Sequence, residues 1–252
     1  MLGIPEASLR FFHTNRRGAS YLVLRSSTRR EKSPGHQRIT KELTMSSITI
    51  IGAGNMARGI GSRAVRGGNS VQIIARDEAK AASLAKTLGA DVTTGAWGSA
   101  PTGDIVFLAV LFASAVPVAK EFGDALAGKI VIDITNPFNA TGTGLAVPDD
   151  TSVAKLVDEA TPSSTRVIKG FNTLFSQIVA SGEPADVFFA GDDAQAKAKV
   201  AALITSLGLR PRDAGELFMA HWLEGAGLLE MGLARGGLGI GFSLGVNIAE
   251  GN

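Results

Sequence analysis

The segment SSITIIGAGNMARG, residues 46–59, decides the fold class of this chain. Residues 48–52, ITIIG, form a β-branched run typical of a buried strand, and residues 55–66 carry a helical pattern. Between the two, residues 52–57 match G-x-G-x-x-[GA], the pattern of a strand-turn-helix that binds a dinucleotide. We therefore expect a Rossmann-type unit to begin here; a tight turn without a ligand is the alternative.

Each position of this turn has a physical role in nucleotide binding. Gly52 permits the sharp change of direction, Gly54 has no side chain to obstruct a pyrophosphate, and Ala57 lets the helix pack closely on the strand. Asn55 and Met56 open the helix, whose amide groups and positive end then face the phosphates. These five residues are our candidate pyrophosphate-binding set.

The rest of the chain alternates short β-branched runs with helical patterns. This alternation predicts an α/β fold, a Rossmann-type doubly wound and mostly parallel sheet with a short α/β extension and a C-terminal helix. The predicted strands are residues 70–75, 104–110, 129–135, 165–171 and 186–192, and the predicted helices are residues 77–89, 114–126 and 194–207. From residue 215 onward apolar residues recur at helical spacing, which predicts a terminal helix that docks on the domain or on a second copy in a homodimer.

Composition excludes several classes of protein. Hydrophobic residues make up 45% of the chain and charged residues 19%, as in a globular protein with a substantial core. There is no cysteine, which excludes disulfides and thiolate metal sites and favours a reducing, cytoplasmic location. The longest apolar stretch, residues 105–119, is too short for a bilayer and contains a proline, so we expect no membrane span. No metal-spaced cluster is present, so we expect no metal.

Charge separates the first 44 residues from the remainder. Residues 1–44 hold nine Lys and Arg against three Asp and Glu, whereas residues 45–252 hold 16 against 20. An acidic body argues against nucleic acid as its partner. The first 44 residues could be a non-native extension, a transit peptide or a nucleic-acid-binding arm, and Met45, close to the first strand, favours the first. We expect residues 1–44 to be disordered and residues 45–252 to form the Rossmann-type domain.

The end of the second predicted strand indicates which dinucleotide binds. An NAD site usually places a carboxylate there, whereas this strand ends in Ala75 and Arg76, with Asp77 expected to cap the next helix. A guanidinium binds a 2′-phosphate bidentately, and Lys80, one helical turn later, adds a second positive charge. This pattern predicts NADP(H); an ordinary solvated Arg and Lys is the alternative.

Ligands of open α/β sheets lie beyond the carboxyl ends of the strands, which selects further candidates. Ala109 and Val110 are apolar and suited to line a nicotinamide ring, although core packing would explain them equally well. Asn136 and Pro137 follow the next strand and either form the nicotinamide pocket or make a plain turn.

Asn172 and Thr173 are the candidate catalytic residues, because they follow a strand and could hydrogen-bond a substrate or the carboxamide. Lys169 beside them is expected to be structural, and His221 is expected to pack within a helix rather than to donate a proton. No acid–base pair is evident in the body of the chain. Hydride transfer between two cofactors needs mainly positioning, since the cofactors carry the chemistry.

Several motifs together resemble the NADPH-dependent reductases of the deazaflavin coenzyme F420. These are ITIIGAGNMARGI (48–60), VQIIARD (71–77), DIVFLAV (104–110), KIVIDITNPF (129–138), KGFNT (169–173), AGDD (190–193) and LRPRDAGEL (209–217). The resemblance covers about residues 46–245. The later motifs distinguish the chain from pyrroline-5-carboxylate reductase, which also favours GAGNMA.

The resemblance implies reversible hydride transfer between NADPH and F420, with the two rings stacked over the carboxyl end of the sheet. It implies pyrophosphate binding by residues 52–57 and 2′-phosphate binding by Arg76 and Lys80, with Ala75 where a Ser or Thr is often found. Asn172-Thr173 stands where some members have His-Thr. The resemblance thus favours a reductase whose small-molecule partner is F420. Two alternatives remain: an NADPH-dependent imine or carbonyl reductase, and a non-catalytic NADPH-binding redox sensor.

Overall fold

The computed structural model describes residues 13–14, 20–21 and 45–247 of the 252-residue chain. The chain divides into two compact units, Met1–Glu42 and Leu43–Asn252. In the first unit, His13–Thr14 pairs antiparallel with Ser20–Tyr21. The expectation of disorder for residues 1–44 otherwise falls outside the described residues.

In the second unit, helices alternate with the strands of one sheet. The strands are β1 Ser47–Ile51, β2 Ser70–Ile74, β3 Thr93–Gly95, β4 Ile105–Leu108, β5 Ile130–Asp133, β6 Arg166–Gly170, β7 Asp186–Ala190 and β8 Arg210–Asp213. The helices are α1 Asn55–Arg66, α2 Glu78–Leu88, α3 Phe112–Phe122, α4 Val153–Glu159, α5 Ser176–Ser181, α6 Ala194–Ser206 and α7 Ala220–Leu233. Single 3₁₀ turns at Gly123–Leu126 and Leu217–Met219 extend α3 and precede α7.

The strand order across the sheet is β8-β7-β6-β5-β4-β1-β2-β3. β1 to β6 are parallel, with the order reversing between β1 and β4, where a doubly wound sheet opens its crevice. β7 runs antiparallel to β6, and β8 is parallel to β7. The predicted Rossmann-type, mostly parallel α/β fold is therefore confirmed.

The reversal at β7 has a cause in the connection that precedes it. α5 is only six residues long, about 9 Å, and cannot return the chain across the sheet. β7 therefore starts at the carboxyl edge of the parallel strands and runs back beside β6. Asp186, the first residue of β7, therefore lies at this edge of the sheet.

Two apolar layers cover the sheet. On one face, α1, α2 and α6 bury residues such as Ile60, Leu84 and Val200 against the strands. On the other face, α3, α4 and the start of α7 bury Val118, Val157 and Ala220. Because both faces are covered, the central strands are continuous apolar runs, and only the sheet edge beyond their carboxyl ends remains for a ligand.

None of the helices in the described part of the chain has the length and apolarity that a bilayer crossing requires. The predicted bounds of the central elements agree with the structure to within one to four residues, and α1 agrees at both ends. The sequence pattern did not predict β3, α4, α5 and β8, which are short.

Candidate functional site

The glycine turn between β1 and α1 presses its backbone against the end of β4. Gly52 has a φ of 131°, and a Cβ atom there would collide with the carbonyl oxygen of Ala109. Its amide donates a hydrogen bond of 2.8 Å to the carbonyl oxygen of Ile74 at the end of β2. The turn therefore requires glycine at position 52 for steric and conformational reasons.

Gly54 plays a different part, because it faces open space. A Cβ atom at this position would have no heavy atom within 4 Å. Gly54 is the N-cap of α1, and the helical ladder starts with the bond of 3.0 Å from the Arg58 amide to the Gly54 carbonyl oxygen. The amides of residues 55–57 precede that ladder, so they can bind an anion. Ala57 itself is fully buried against the sheet.

Two cations follow the end of β2, as a 2′-phosphate site would need. Arg76 is largely exposed, and Lys80 lies on the first turn of α2. Asp77 accepts a hydrogen bond of 3.0 Å from the Lys80 amide, which confirms the predicted cap. Hydrogen bonds from the amide and side chain of Lys80 lower the pKa of Asp77, whose carboxylate lies 3.3 Å from Lys80 Nζ. Ala75 is buried and adds no polar atom of its side chain to the site.

Arg76 also makes contacts that its sequence neighbours do not predict. Its guanidinium lies 4.9 Å from the centre of the Trp97 ring and 3.3 Å from a carboxylate oxygen of Glu121 on α3. The other oxygen of Glu121 accepts a hydrogen bond from the indole N–H of Trp97. We refer to these three residues as the Arg76 cluster. They are 45 positions apart in the chain at most, and no local signal connects them.

The end of β4 supplies an apolar wall beside the glycine turn. Ala109 and Val110 are half-buried, and the Ala109 amide donates a hydrogen bond of 2.9 Å to the carbonyl oxygen of Ile51. Leu111, the next residue, is 81% exposed. The wall thus offers apolar surface at the crevice where the strand order reverses.

The structure brings Asn136 and Asn172 together, although they follow different strands. Asn136 Nδ2 donates a hydrogen bond of 2.7 Å to the Asn172 carbonyl oxygen, and Asn172 Nδ2 donates one of 2.9 Å to Asn136 Oδ1. Asn172 Nδ2 also donates to the carbonyl oxygen of Leu223 in α7, at 2.7 Å. Pro137 is buried beside them. Helix α7 can approach this closely because Gly227 faces Asn136 Oδ1, where a Cβ atom would stand 2.7 Å away.

The loop after β6 carries strain next to these asparagines. Phe171 has a φ of 61° and is fully buried, with its ring 5.3 Å from that of Phe107. Asn172 and Thr173 are 4% and 1% exposed, and Asn172 Oδ1 and Thr173 Oγ1 have no hydrogen-bond partner among the described residues. A left-handed aromatic residue beside unpaired buried oxygens is typical of a functional loop held by its surroundings.

Beneath the asparagine pair lies a buried ion cluster centred on Lys169. Lys169 Nζ donates to Asp133 Oδ2 at 2.7 Å, to Glu224 Oε1 at 2.8 Å and to the Thr135 carbonyl oxygen at 2.6 Å. The side chains of Lys169, Asp133 and Glu224 are all fully buried. Burial raises the pKa of Glu224, while the nearby Lys169 lowers it to a smaller extent. Lys169 is therefore structural, as expected, and it ties β5, β6 and α7 together.

His221 packs within the helical tail, as expected from its pattern. Its Nδ1 lies 2.9 Å from the Thr151 carbonyl oxygen, and its ring stands edge-to-face with Trp222. Glu224, three residues on, is the partner of Lys169 that sequence reasoning missed, although a carboxylate in so apolar a helix was a visible signal.

Cavity volume does not single out the carboxyl edge of the sheet. Two cavities of about 420 and 280 Å³ lie at the opposite edge, around the end of α1 and beside Met45, and neither includes a residue of the glycine turn. We therefore assign the site from its chemistry, not from cavity volume. No group of three His, Cys, Asp or Glu side chains within the described ranges is arranged to hold a metal.

Comparison with known proteins gives this geometry a context. Residues 47–137 match the family described as NADP oxidoreductase, coenzyme F420-dependent. The F420-dependent NADP reductase of Methanocaldococcus jannaschii is 29% identical over 144 residues, which are 54% of this chain and 64% of that protein. Metalloreductase STEAP3 of Rattus norvegicus is 29% identical over 181 residues, 70% of this chain and 35% of that protein. This chain thus spans less than two thirds of either relative.

A solved structure extends the likeness beyond the matched segment. A protein from Arthrobacter sp. FB24, proposed to be an F420-dependent NADP reductase, has a TM-score of 0.65 and 26% identity, covering 75% of this chain and 93% of that one. The resemblance inferred from the sequence motifs is confirmed. Over residues 47–137, this chain is thus similar to the family described as coenzyme F420-dependent NADP oxidoreductases.

Proposed function

We propose that residues 45–252 form a reductase domain that binds NADP(H) and exchanges a hydride with a deazaflavin such as F420. The observation that carries this proposal is the pairing of the open glycine turn at Gly54 with Arg76 and Lys80 at the end of β2. A carboxylate at the position of Arg76 would favour NAD, whereas two cations favour a 2′-phosphate.

The residues present fit NADP(H) at both of its ends. The amides at the start of α1 would hold the pyrophosphate, and the Arg76 and Lys80 side chains would hold the 2′-phosphate. At the other end, Ala109 and Val110 would contact the nicotinamide ring with apolar surface. When bound, NADPH supplies a hydride, and the acceptor takes up its further proton from solvent.

Asn172 and Thr173 would act by positioning in this proposal. Their side chains are almost completely buried, and the amide nitrogen of Asn172 is already committed to Asn136 and Leu223. The pair Asn136–Asn172 would therefore fix the walls between which the nicotinamide carboxamide binds. Pro137, which follows Asn136, would hold the start of that loop in place.

F420 is the acceptor that the family favours, because both the family description and the Methanocaldococcus relative name it. The test is to titrate the protein with NADPH by fluorescence and then add F420 while following absorbance at 340 nm. Oxidation of NADPH on addition of F420 is expected. Oxidation with a cyclic imine but not with F420 would favour the imine or carbonyl reductase, and binding without oxidation by either would favour the redox sensor.

We also propose that the protein is a homodimer that pairs through α7, in the cytoplasm. One side of the helical tail carries four large apolar side chains that remain 37–66% exposed: Phe218, Trp222, Leu229 and Leu233. The residues of the same side between Trp222 and Leu229 are the small Gly225 and Ala226. Such a face is self-complementary across a two-fold axis. Light scattering should give twice the chain mass for the wild type and the chain mass for Trp222→Glu.

A further inference from the structure

The Arg76 cluster places a carboxylate on the residue that the 2′-phosphate would need. Glu121 Oε2 lies 3.3 Å from a terminal nitrogen of Arg76, and Glu121 Oε1 accepts a hydrogen bond from the Trp97 indole N–H. One carboxylate thus bridges two donors that come from the end of β2 and from the segment after β3. Neither Trp97 nor Glu121 belongs to the glycine turn or to the two cations proposed for the 2′-phosphate.

We propose that Glu121 competes with the 2′-phosphate of NADPH for Arg76 and Trp97, and so limits the preference of the protein for NADPH over NADH. The proposal rests on the NADPH-binding function proposed above. Cofactor binding exchanges a carboxylate for a phosphate on the same two donors, which makes Trp97 a third contact of the 2′-phosphate beside Arg76 and Lys80. Glu121 is then a specificity-determining residue for the cofactor.

The exposure of the pair makes the exchange easy. The side chains of Arg76 and Glu121 are 62% and 43% exposed, and ion pairs between such groups are weak. A phosphate oxygen binds a guanidinium at least as strongly as a carboxylate does, and it carries more charge. The 2′-phosphate therefore displaces Glu121 instead of being excluded by it.

The contact between Arg76 and Trp97 keeps the guanidinium in place during this exchange. The guanidinium carbon lies 4.9 Å from the centre of the indole ring, a distance at which the cation is attracted to the ring. A planar guanidinium can stay at this ring and turn one N–H edge from the carboxylate to the phosphate. Arg76 is thus held near its working position by a contact that the phosphate does not disturb.

The displaced Glu121 carboxylate weakens the binding of NADPH but not that of NADH. After displacement, the Glu121 carboxylate and the 2′-phosphate are like charges that share one small region, and they repel each other. A ligand with a 2′-hydroxyl leaves the ion pair between Arg76 and Glu121 intact. Removal of the Glu121 charge should therefore strengthen the binding of 2′-phosphorylated ligands selectively.

The experiment uses two fragments that bind only at the adenosine end, 2′,5′-ADP and 5′-AMP, on the full chain by calorimetry. Glu121→Gln is expected to bind 2′,5′-ADP about three- to tenfold more tightly than the wild type at low salt, with a smaller gain at 0.5 M salt and no change for 5′-AMP. The matched control is Asp124→Asn, which removes the same charge from an exposed residue three positions away and should change neither affinity.

Fluorescence gives a second readout that is independent of affinity. The chain has two tryptophans, so Trp222→Phe leaves Trp97 as the single tryptophan, which can be excited selectively at wavelengths that tyrosine does not absorb. Its emission should change with 2′,5′-ADP and not with 5′-AMP, because only the phosphate displaces Glu121 from the indole N–H. Glu121→Ala should gain affinity for 2′,5′-ADP as Glu121→Gln does. In this variant the Trp97 emission should no longer differ between 2′,5′-ADP and 5′-AMP through displacement of the carboxylate, because no carboxylate is present.

Two results would overturn the proposal while leaving NADPH binding in place. If the wild type prefers 2′,5′-ADP to 5′-AMP but Glu121→Gln binds it equally well, Glu121 does not compete. If Glu121→Gln binds it more weakly, Glu121 orders Arg76 for the phosphate instead. A folded wild type that fails to distinguish the two fragments would contradict both this inference and the NADPH proposal.

Discussion

Lys169 at the end of β6 donates a hydrogen bond of 2.8 Å to Glu224 of α7, and both side chains are fully buried. The same ammonium bonds Asp133 at the end of β5. The cluster is close in the chain to the residues of the asparagine pair. Asp133 and Lys169 each lie three residues before an asparagine of the pair, Asn136 and Asn172 respectively. Glu224 directly follows Leu223, whose carbonyl oxygen accepts a hydrogen bond from Asn172. We therefore expect the buried ion cluster to position the asparagine pair that would form the proposed nicotinamide pocket.

Lys169→Met should destabilise the fold by about 3–5 kcal/mol, because it leaves two carboxylates buried without their cation. The free energy of unfolding, from urea titration, is the measurement. At pH 7 the loss should be larger than at pH 5, because burial raises the pKa of Glu224 and protonation of this carboxyl relieves part of the unpaired charge.

The matched control for Lys169 is Lys129→Met, which breaks the more exposed contact of 3.9 Å with Asp104. This change should cost no more than about 1 kcal/mol. Equal stabilities of the two variants would show that the buried cluster does not hold β5, β6 and α7 together.

The two glycines of the turn should respond differently to the same substitution. Gly52→Ala should lower the melting temperature strongly, because the Cβ atom collides with the Ala109 carbonyl and the φ of 131° disfavours alanine. Gly54→Ala meets no heavy atom within 4 Å and should cost less than about 1 kcal/mol of stability. It should nevertheless weaken NADPH binding at least about tenfold, because the methyl group occupies the space proposed for the pyrophosphate.

Thermal unfolding and NADPH titration of both variants separate the two roles. A stable Gly54→Ala protein with wild-type affinity for NADPH would remove the glycine turn from the proposed site. A stable Gly52→Ala protein would show that the turn tolerates a shift of β4.

The sequence predicted the elements whose signal is local. The bounds of α1, the cap by Asp77 and the buried central strands follow from side-chain periodicity and turn chemistry over a few residues. β8, with the sequence RPRD, has no apolar alternation, and it forms because β7 offers it a parallel edge. Short elements of this kind depend on tertiary contacts, which no local pattern encodes.

The same distinction applies to the site. The glycine turn and Arg76 are recognisable because each has a required place in a short motif. Glu121 reaches Arg76 from a helix 45 residues away, and Gly227 reaches Asn136 from 91 residues away. Such pairs are created by the packing of α3 and α7 on the sheet, so a single sequence could not reveal them.

Arg76→Ala should weaken the binding of NADPH about 10- to 100-fold and that of NADH by less than about threefold. The reason is that charge-assisted hydrogen bonds to a phosphate are lost in the first case only. Dissociation constants from fluorescence titration provide the measurement. Arg66→Ala, an exposed residue in the last turn of α1, is the control and should change neither constant. Equal losses for the two nucleotides would contradict the assignment of Arg76 to the 2′-phosphate.

Glu230 of α7 should make the stability of the fold depend on pH near neutrality. The residue is 3% exposed, and burial raises its pKa from 4.5 to about 7, although a hydrogen bond from the Leu244 amide opposes the rise. The folded protein then holds this proton more tightly than the unfolded chain does. The stabilisation is complete below about pH 4.5 and is lost as the pH rises through 7.

Glu230→Gln should remove this dependence, because the amide stays neutral at every pH. Between pH 5 and pH 8 the wild type should lose about 1–3 kcal/mol more in free energy of unfolding than the variant does. Glu216→Gln, which removes an exposed carboxylate just before α7, should follow the wild type. Urea titrations at the two pH values give the comparison, and parallel losses in wild type and Glu230→Gln would assign the pH dependence to another group.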